Sequence, residues 1–92
     1  MKLTIRFLRP FSDVVGKGEL RLDFEGRTLK DLLEELARRY PGLKKELYSA
    51  DGALSVYVSV FVNDKSADSL QGLRTRLKDC DELLVFVPIS GG

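Results

Sequence analysis

Thr28-Leu29-Lys30-Asp31-Leu32-Leu33-Glu34-Glu35-Leu36-Ala37-Arg38-Arg39-Tyr40 is the stretch of this chain with the clearest helical period. Leu29, Leu32, Leu33, Leu36, Ala37 and Tyr40 recur at three- and four-residue spacing along one face. Thr28, with Asp31 three residues on, has the form of a capping box, and Pro41-Gly42 stops the helix. On the other face Glu34 with Arg38 and Glu35 with Arg39 stand four apart with the acid first, the order that the helix dipole favours. We read those pairs as a solvated face. With one strong helix in the chain, the fold is decided by what stands on either side of it.

Upstream, Leu3, Ile5 and Phe7 alternate with Lys2, Thr4 and Arg6, and Leu20, Leu22 and Phe24 alternate with Glu19, Arg21, Asp23 and Glu25. That period of two predicts two half-buried strands, joined by a long hairpin loop over Arg9 to Gly18, which holds Pro10, Gly16 and Gly18. Downstream, Leu43 to Leu54 has mixed polarity with Asp51-Gly52 as a turn signal and room for short helical turns. Val56, Val58, Val60 and Val62 interleave with Tyr57, Ser59 and Phe61, a β-branched run that reads as a central strand closed by Asn63-Asp64. Ser66 to Lys78 is a connection with Gly72 in its middle, and Lys78-Asp79-Cys80-Asp81 is a turn before a last strand, Leu83 to Val87. This order of elements predicts a two-layer α+β domain: a mixed sheet of four to five strands with one main helix on one face.

A single helix covers only one face of such a sheet, which constrains the last strand. If Leu83 and Val85 face the helix, Leu84 and Phe86 point the other way. With Phe61 on the outward register of the preceding strand, Phe61, Leu84 and Phe86, joined by Tyr57, are expected to form an exposed apolar patch, the usual mark of a partner surface. A more curled sheet or a homodimer would bury the same residues.

Bulk properties exclude several function classes. The chain has 92 residues and 43% hydrophobic content, enough for one core without disulfides. Lys+Arg number 15 against 14 Asp+Glu, giving a formal charge of +1 with both signs mixed, so no basic stripe marks a nucleic-acid or membrane partner. With one cysteine and no histidine, the usual zinc sites and the Ser-His-Asp and Cys-His catalytic sets are ruled out, and no metal site or bound cofactor is expected. Neither a signal peptide nor a membrane span is legible, so a cytoplasmic protein is expected. Cys80 stands between two carboxylates, unlike the electropositive settings of reactive thiols, and reads as a turn residue. Lys17, Lys44, Lys45 and Lys65 read as ordinary surface charge.

The chain as given ends Pro88-Ile89-Ser90-Gly91-Gly92. Glycine makes up about 7% of ordinary sequence, so a Gly-Gly ending arises by chance in only about 0.5% of chains. Two residues without Cβ thread a narrow slot, and Gly92 would present an α-carboxylate at the tip. Pro88 restricts the start of this segment, and the five residues reach roughly 16 to 18 Å when extended. We divide the chain into a domain over 1–87 and a flexible tail over 88–92, with Pro88, Ile89 and Ser90 joining the patch as partner-binding residues.

Leu77-Lys78-Asp79-Cys80-Asp81-Glu82-Leu83, the ending Phe86-Val87-Pro88-Ile89-Ser90-Gly91-Gly92, Val60 to Asp64 and Gly72 to Thr75 together resemble the ubiquitin-like sulfur carriers, the superfamily of the molybdopterin synthase small subunit and the thiamine sulfur carrier. The likeness spans essentially the whole chain, with the helix where the β-grasp fold has its own. The Leu8-Arg9-Pro10-Phe11 opening and Gly72-Leu73 are most similar to the longer members, among them a carrier of cysteine biosynthesis and small archaeal modifiers. Two positions depart from the pattern: Cys80, where glycine is usual, and Phe86-Val87-Pro88, where an aromatic-Pro-Pro approach is usual.

The resemblance implies a carrier that is not itself an enzyme. Its Gly92 carboxylate, presented by Gly91, would be adenylated by an E1-like enzyme that consumes ATP, then converted to a thiocarboxylate. The sulfur would pass to an accepting enzyme such as a molybdopterin synthase large subunit or another synthase. A ubiquitin-like modifier joined to lysines through Gly92 uses the same activation, and the tail does not separate the two. A β-grasp adaptor with an inert tail is a third reading. An iron-sulfur version of the fold is excluded, because one cysteine does not hold a cluster that needs about four.

Overall fold

The computed structural model describes residues 1–88. Their elements run β1 (Lys2–Phe7), α1 (Phe11–Val15), β2 (Glu19–Asp23), α2 (Leu29–Arg39), α3 (Pro41–Leu47), β3 (Ser59–Val62), β4 (Lys65–Ser66) and β5 (Glu82–Phe86). The strands form one five-stranded sheet in the order β2-β1-β5-β3-β4. β1 and β5 are parallel and the other pairs antiparallel. The sheet is therefore mixed, as expected, and α2 is the main helix on its covered face.

Alternation sorts the strands into two faces. Leu3, Ile5 and Phe7 of β1, Leu20 and Leu22 of β2, Val60 and Val62 of β3, and Leu83 and Val85 of β5 are buried, together with Leu29, Leu32, Leu33 and Leu36 of α2. The capping box of α2 is present, with Asp31 N donating to Thr28 Oγ1 at 3.3 Å and Thr28 N donating to Asp31 Oδ2 at 3.2 Å. Of the two expected surface pairs, Glu35–Arg39 forms at 2.8 Å. Glu34 instead faces Lys30 at 4.0 Å, because Arg38 turns to the carboxylate of Glu35.

Four sequence expectations need correction. The Arg9 to Gly18 loop contains α1, which ends on Gly16 at φ 87, the left-handed C-cap that glycine adopts without a Cβ clash. Pro41-Gly42 ends α2 but also opens α3, since proline at a first helical position gives up no bond that the helix needs. A Cβ on Gly42 would stand 2.8 Å from Val14 Cγ1, so glycine permits the close approach of α3 to α1. The Val56–Val62 strand begins only at Ser59, because Ser55 takes the preceding backbone groups in a turn: its Oγ accepts from Tyr57 N and its C=O from Val58 N, both at 3.2 Å. Finally, the middle strand is β5, with β3 between β5 and the short β4.

The entry to β5 is fixed by a compact polar set. Asp81, only 7% exposed, accepts from Asn63 Nδ2 at 2.7 Å and from Lys78 N at 2.8 Å. Asn63 Oδ1 accepts from Glu82 N at 2.9 Å, and Asp81 O accepts from Thr4 N at 3.1 Å. Asn63 and Asp64 both have positive φ, 49° and 72°, the two-residue hairpin turn for which Asn and Asp are suited. One carboxylate thus ties together the β3–β4 turn, the turn before β5 and, through its backbone, β1. Asp81→Ala strands the Asn63 amide and the Lys78 N–H and is expected to cost about 2–3 kcal/mol in denaturant unfolding. A loss under about 0.5 kcal/mol, ordinary for a surface site, would count against this role.

Three carboxylates on the surface of the fold, Glu35 among them half-buried, are held below their ordinary values by donors. Asp31 lies below 3.8 through the N–H groups of Arg27 and Thr28, Glu35 below 4.5 through the Arg39 guanidinium, and Asp79 below 3.8 through the Lys2 N–H. A carboxyl whose folded pKa is depressed stabilises the fold above its unfolded pKa, and that contribution disappears as pH falls through the folded value. The unfolding midpoint is therefore expected to be flat near neutrality and to fall below about pH 4. Asp79→Asn should make that decline shallower, as read by thermal melts across the acid range.

Candidate functional site

The face of the sheet away from α2 is divided into two halves. One half is charged: Arg6 Nε lies 3.3 Å from Glu19 Oε1, Arg6 Nη2 lies 3.6 Å from Glu82 Oε1, and Arg21 Nε lies 3.8 Å from Glu19 Oε2. These pairs are exposed and are worth a few tenths of a kcal/mol each. The other half is apolar and lies at the end of the sheet from which the chain continues to Pro88.

Its centre is β5. Leu84 is opposite Phe61 in the register, and Phe86 is opposite Ser59. Phe61 and Phe86 meet diagonally, ring centroids 5.5 Å apart and tilted 58°, a favourable aromatic geometry. The expected trio is therefore assembled on one face, half-buried and not fully exposed, because the rings cover one another. Tyr57 does not join the sheet. It is 73% exposed in the turn before β3, beside Val56 at 89%.

Leu8 is the patch residue that the sequence reading missed. Its N–H donates to Val85 O at 3.1 Å, so β1 continues alongside β5 for one residue past its formal end. Parity with Thr4 and Arg6 then places Leu8 on the outward face, next to Phe86, and it is 52% exposed. The signal is present in the alternation, since Leu8 continues the parity of Thr4 and Arg6. Pro88 is exposed and is the last described residue. Ile89, Ser90, Gly91 and Gly92 lie outside the described residues.

Cys80 is exposed, with Sγ 3.7 Å from Asp79 Oδ2 and its N–H donating to Lys2 O at 2.7 Å. Its φ is +70°, the left-handed region, which gives a physical reason for a glycine at this turn position. Among the described residues, no three His, Cys, Asp or Glu side chains are grouped to hold a metal ion. No helix of the described residues is long and apolar enough to cross a membrane.

A model of the ThiS family matches residues 5–92. Small archaeal modifier protein 3 of Haloferax volcanii is 36% identical over 94 residues, covering all of both chains. The sulfur carrier protein CysO of Mycobacterium tuberculosis is 29% identical over 77 residues, 82% of this chain and 83% of its own. The solution structure of small archaeal modifier protein 1 from Methanosarcina acetivorans superposes with a TM-score of 0.87 at 28% identity, covering 99% of this chain and 96% of that one. The β-grasp fold expected from the sequence is thus the fold of this chain. Its relatives are named as carriers and modifiers, not as catalysts.

The left-handed turn also gives a stability prediction. Cys80→Gly is expected to relieve about 1 kcal/mol of backbone strain, part of it offset by the greater freedom of glycine in the unfolded chain. The unfolding midpoint should rise by about 2–4 °C. A fall of that size would show that the cysteine side chain contributes packing that outweighs its φ.

Proposed function

The chain belongs to the ThiS family of ubiquitin-like sulfur carriers and small modifiers, and from that premise we propose that it is a cytoplasmic sulfur carrier working through the carboxylate of Gly92. The observation that carries the reading is the joint placement of patch and exit: the apolar half of the outward face lies beside the point where the chain leaves β5 toward Pro88. A partner that grips Leu8, Phe61, Leu84 and Phe86 holds the root of the tail while Pro88, Ile89, Ser90, Gly91 and Gly92 enter its active site.

The chemistry follows from the carboxylate. It is a poor electrophile until one oxygen becomes a leaving group. In the site of an E1-like enzyme, a Gly92 carboxylate oxygen attacks the α-phosphorus of ATP, pyrophosphate leaves, and the acyl-adenylate forms. A sulfide equivalent then adds to the Gly92 carbonyl carbon and AMP departs, leaving a thiocarboxylate. ATP binding, the oxyanion donors and any general base belong to the activating and accepting enzymes. A synthase that builds a sulfur-containing metabolite, as in molybdopterin formation, is the receiver. The role of this chain is to present the carboxylate on a narrow stalk, and misplacement by about an Ångström costs about 100-fold in such a step.

A second reading is supported by the full-length 36% likeness to a small archaeal modifier. There a lysine amine of a target protein adds to the Gly92 carbonyl carbon of the same acyl-adenylate, AMP departs with loss of the amine proton, and an isopeptide bond forms. Intact-mass analysis after incubation with ATP, sulfide and the host's adenylating enzyme tests the first reading, and the oxygen-to-sulfur shift is expected. Gly92→Ala should abolish that shift while leaving the melting curve unchanged, and Leu84→Glu should slow it about tenfold or more by placing a charge in the docking patch. Lysine-linked conjugates in lysate, with no thiocarboxylated free protein, would favour the modifier.

A further inference from the structure

A cleft on the helical side of the fold lies between α2, α3 and the loop that follows α3, and has a volume of about 1250 Å³. The buried residues of β5 pack with those of α2 in a single core, while Leu84 and Phe86 point away from it. The cleft and the docking patch are therefore on opposite sides of the domain. Its floor is apolar, built by Ala37, Tyr48, Leu54 and Leu73, all half-buried. Its rim carries Lys30, Arg38, Lys44 and Lys45 against one carboxylate, Glu34.

This rim is out of proportion to the rest of the chain. Four cations against one acid leave three positive charges at the cleft, whereas the whole chain has a formal charge of +1, so the remainder is net negative. Glu34 is engaged by Lys30 at 4.0 Å, and Arg38 is engaged by Glu35. Lys44 and Lys45, both exposed in the last turn of α3, pair with no carboxylate among the described residues. A concave apolar floor bounded by uncompensated cations attracts a ligand that is itself apolar along its centre and acidic along its edges. The volume exceeds the roughly 300–1,000 Å³ of small-molecule sites and suits a peptide segment better than a metabolite. A nucleic-acid backbone matches the charge but leaves the apolar floor unused.

We propose that the α2–α3 cleft docks an acidic amphipathic segment of a partner protein, with apolar side chains on Ala37, Leu54 and Leu73 and carboxylates on Lys44 and Lys45. Docking there leaves the Leu84–Phe86 face and the tail free. One partner is thus able to hold the protein while a second engages Gly92, and the site is independent of what Gly92 carries.

The test uses the full chain, labelled with nitrogen-15, and a synthetic amphipathic peptide of about four helical turns, with leucines on one face and glutamates along its flanks. Saturable shifts at the amides of Ala37, Lys44, Leu54 and Leu73 are expected, weakening as salt is added. Lys44→Glu combined with Lys45→Glu should lower the affinity about tenfold or more. Both side chains are exposed, so the variant should melt close to the parent. Leu84→Glu, on the opposite face, should bind the peptide as the parent does. The proposal is overturned by equal binding of a peptide with lysines in place of the glutamates, or by shifts confined to the β5 outward face. Tighter binding of a single-stranded oligonucleotide at the same amides, or self-association through them without peptide, would also overturn it by identifying a different occupant. None of these outcomes depends on activation of Gly92, so failure here and failure of the carrier reading are separable.

Discussion

The structure depends on the placement of β5 between a parallel and an antiparallel neighbour. β1 supplies one edge and β3 the other, and the strand buries Leu83 and Val85 to 2% and 1% exposure. Burial of two such side chains stabilises the fold by roughly 1.5–3 kcal/mol each. A register slip by one residue would exchange them for Leu84 and Phe86 and turn the outward apolar patch inward. The Asp81 carboxylate opposes such a slip, because its bonds to Asn63 and Lys78 fix where the strand begins.

From that one placement the functional geometry follows. The strand leaves the sheet at the end where Leu8, Phe61, Leu84 and Phe86 gather, so the apolar patch and the exit lie side by side. The charged half of the outward face, with Arg6 between Glu19 and Glu82, limits the apolar area to the part beside the exit. The opposite side of the domain carries a different surface, apolar beneath and cationic at its rim. The domain thus carries two chemically distinct faces on opposite sides, one apolar beside the exit of the chain and one apolar with a cationic rim.

Much of this was legible in the residues. The leucine period from Leu29 to Leu36, the alternation in β1 and β2 and the outward parity of Leu84 and Phe86 are local patterns, and local patterns survive folding when a core rewards them. The failures were also local in cause. Gly16 has the look of loop punctuation but caps a short helix, and Pro41, a stop by pattern, also starts α3. Tyr57 and Val58 have the composition of a strand, but the Ser55 turn takes their N–H groups.

The sequence by itself determined the fold class and the two faces of each strand, because periodicity is a property of the chain alone. Only the tertiary structure decided that β5 is the middle strand, that Leu8 completes the patch and that Asp81 fixes the register. It also decided that Lys30 and Arg38 of α2 share a cleft with Lys44 and Lys45 of α3. Each of these is a relation between residues far apart in sequence, created when the core closes and brings two elements to one distance and one side.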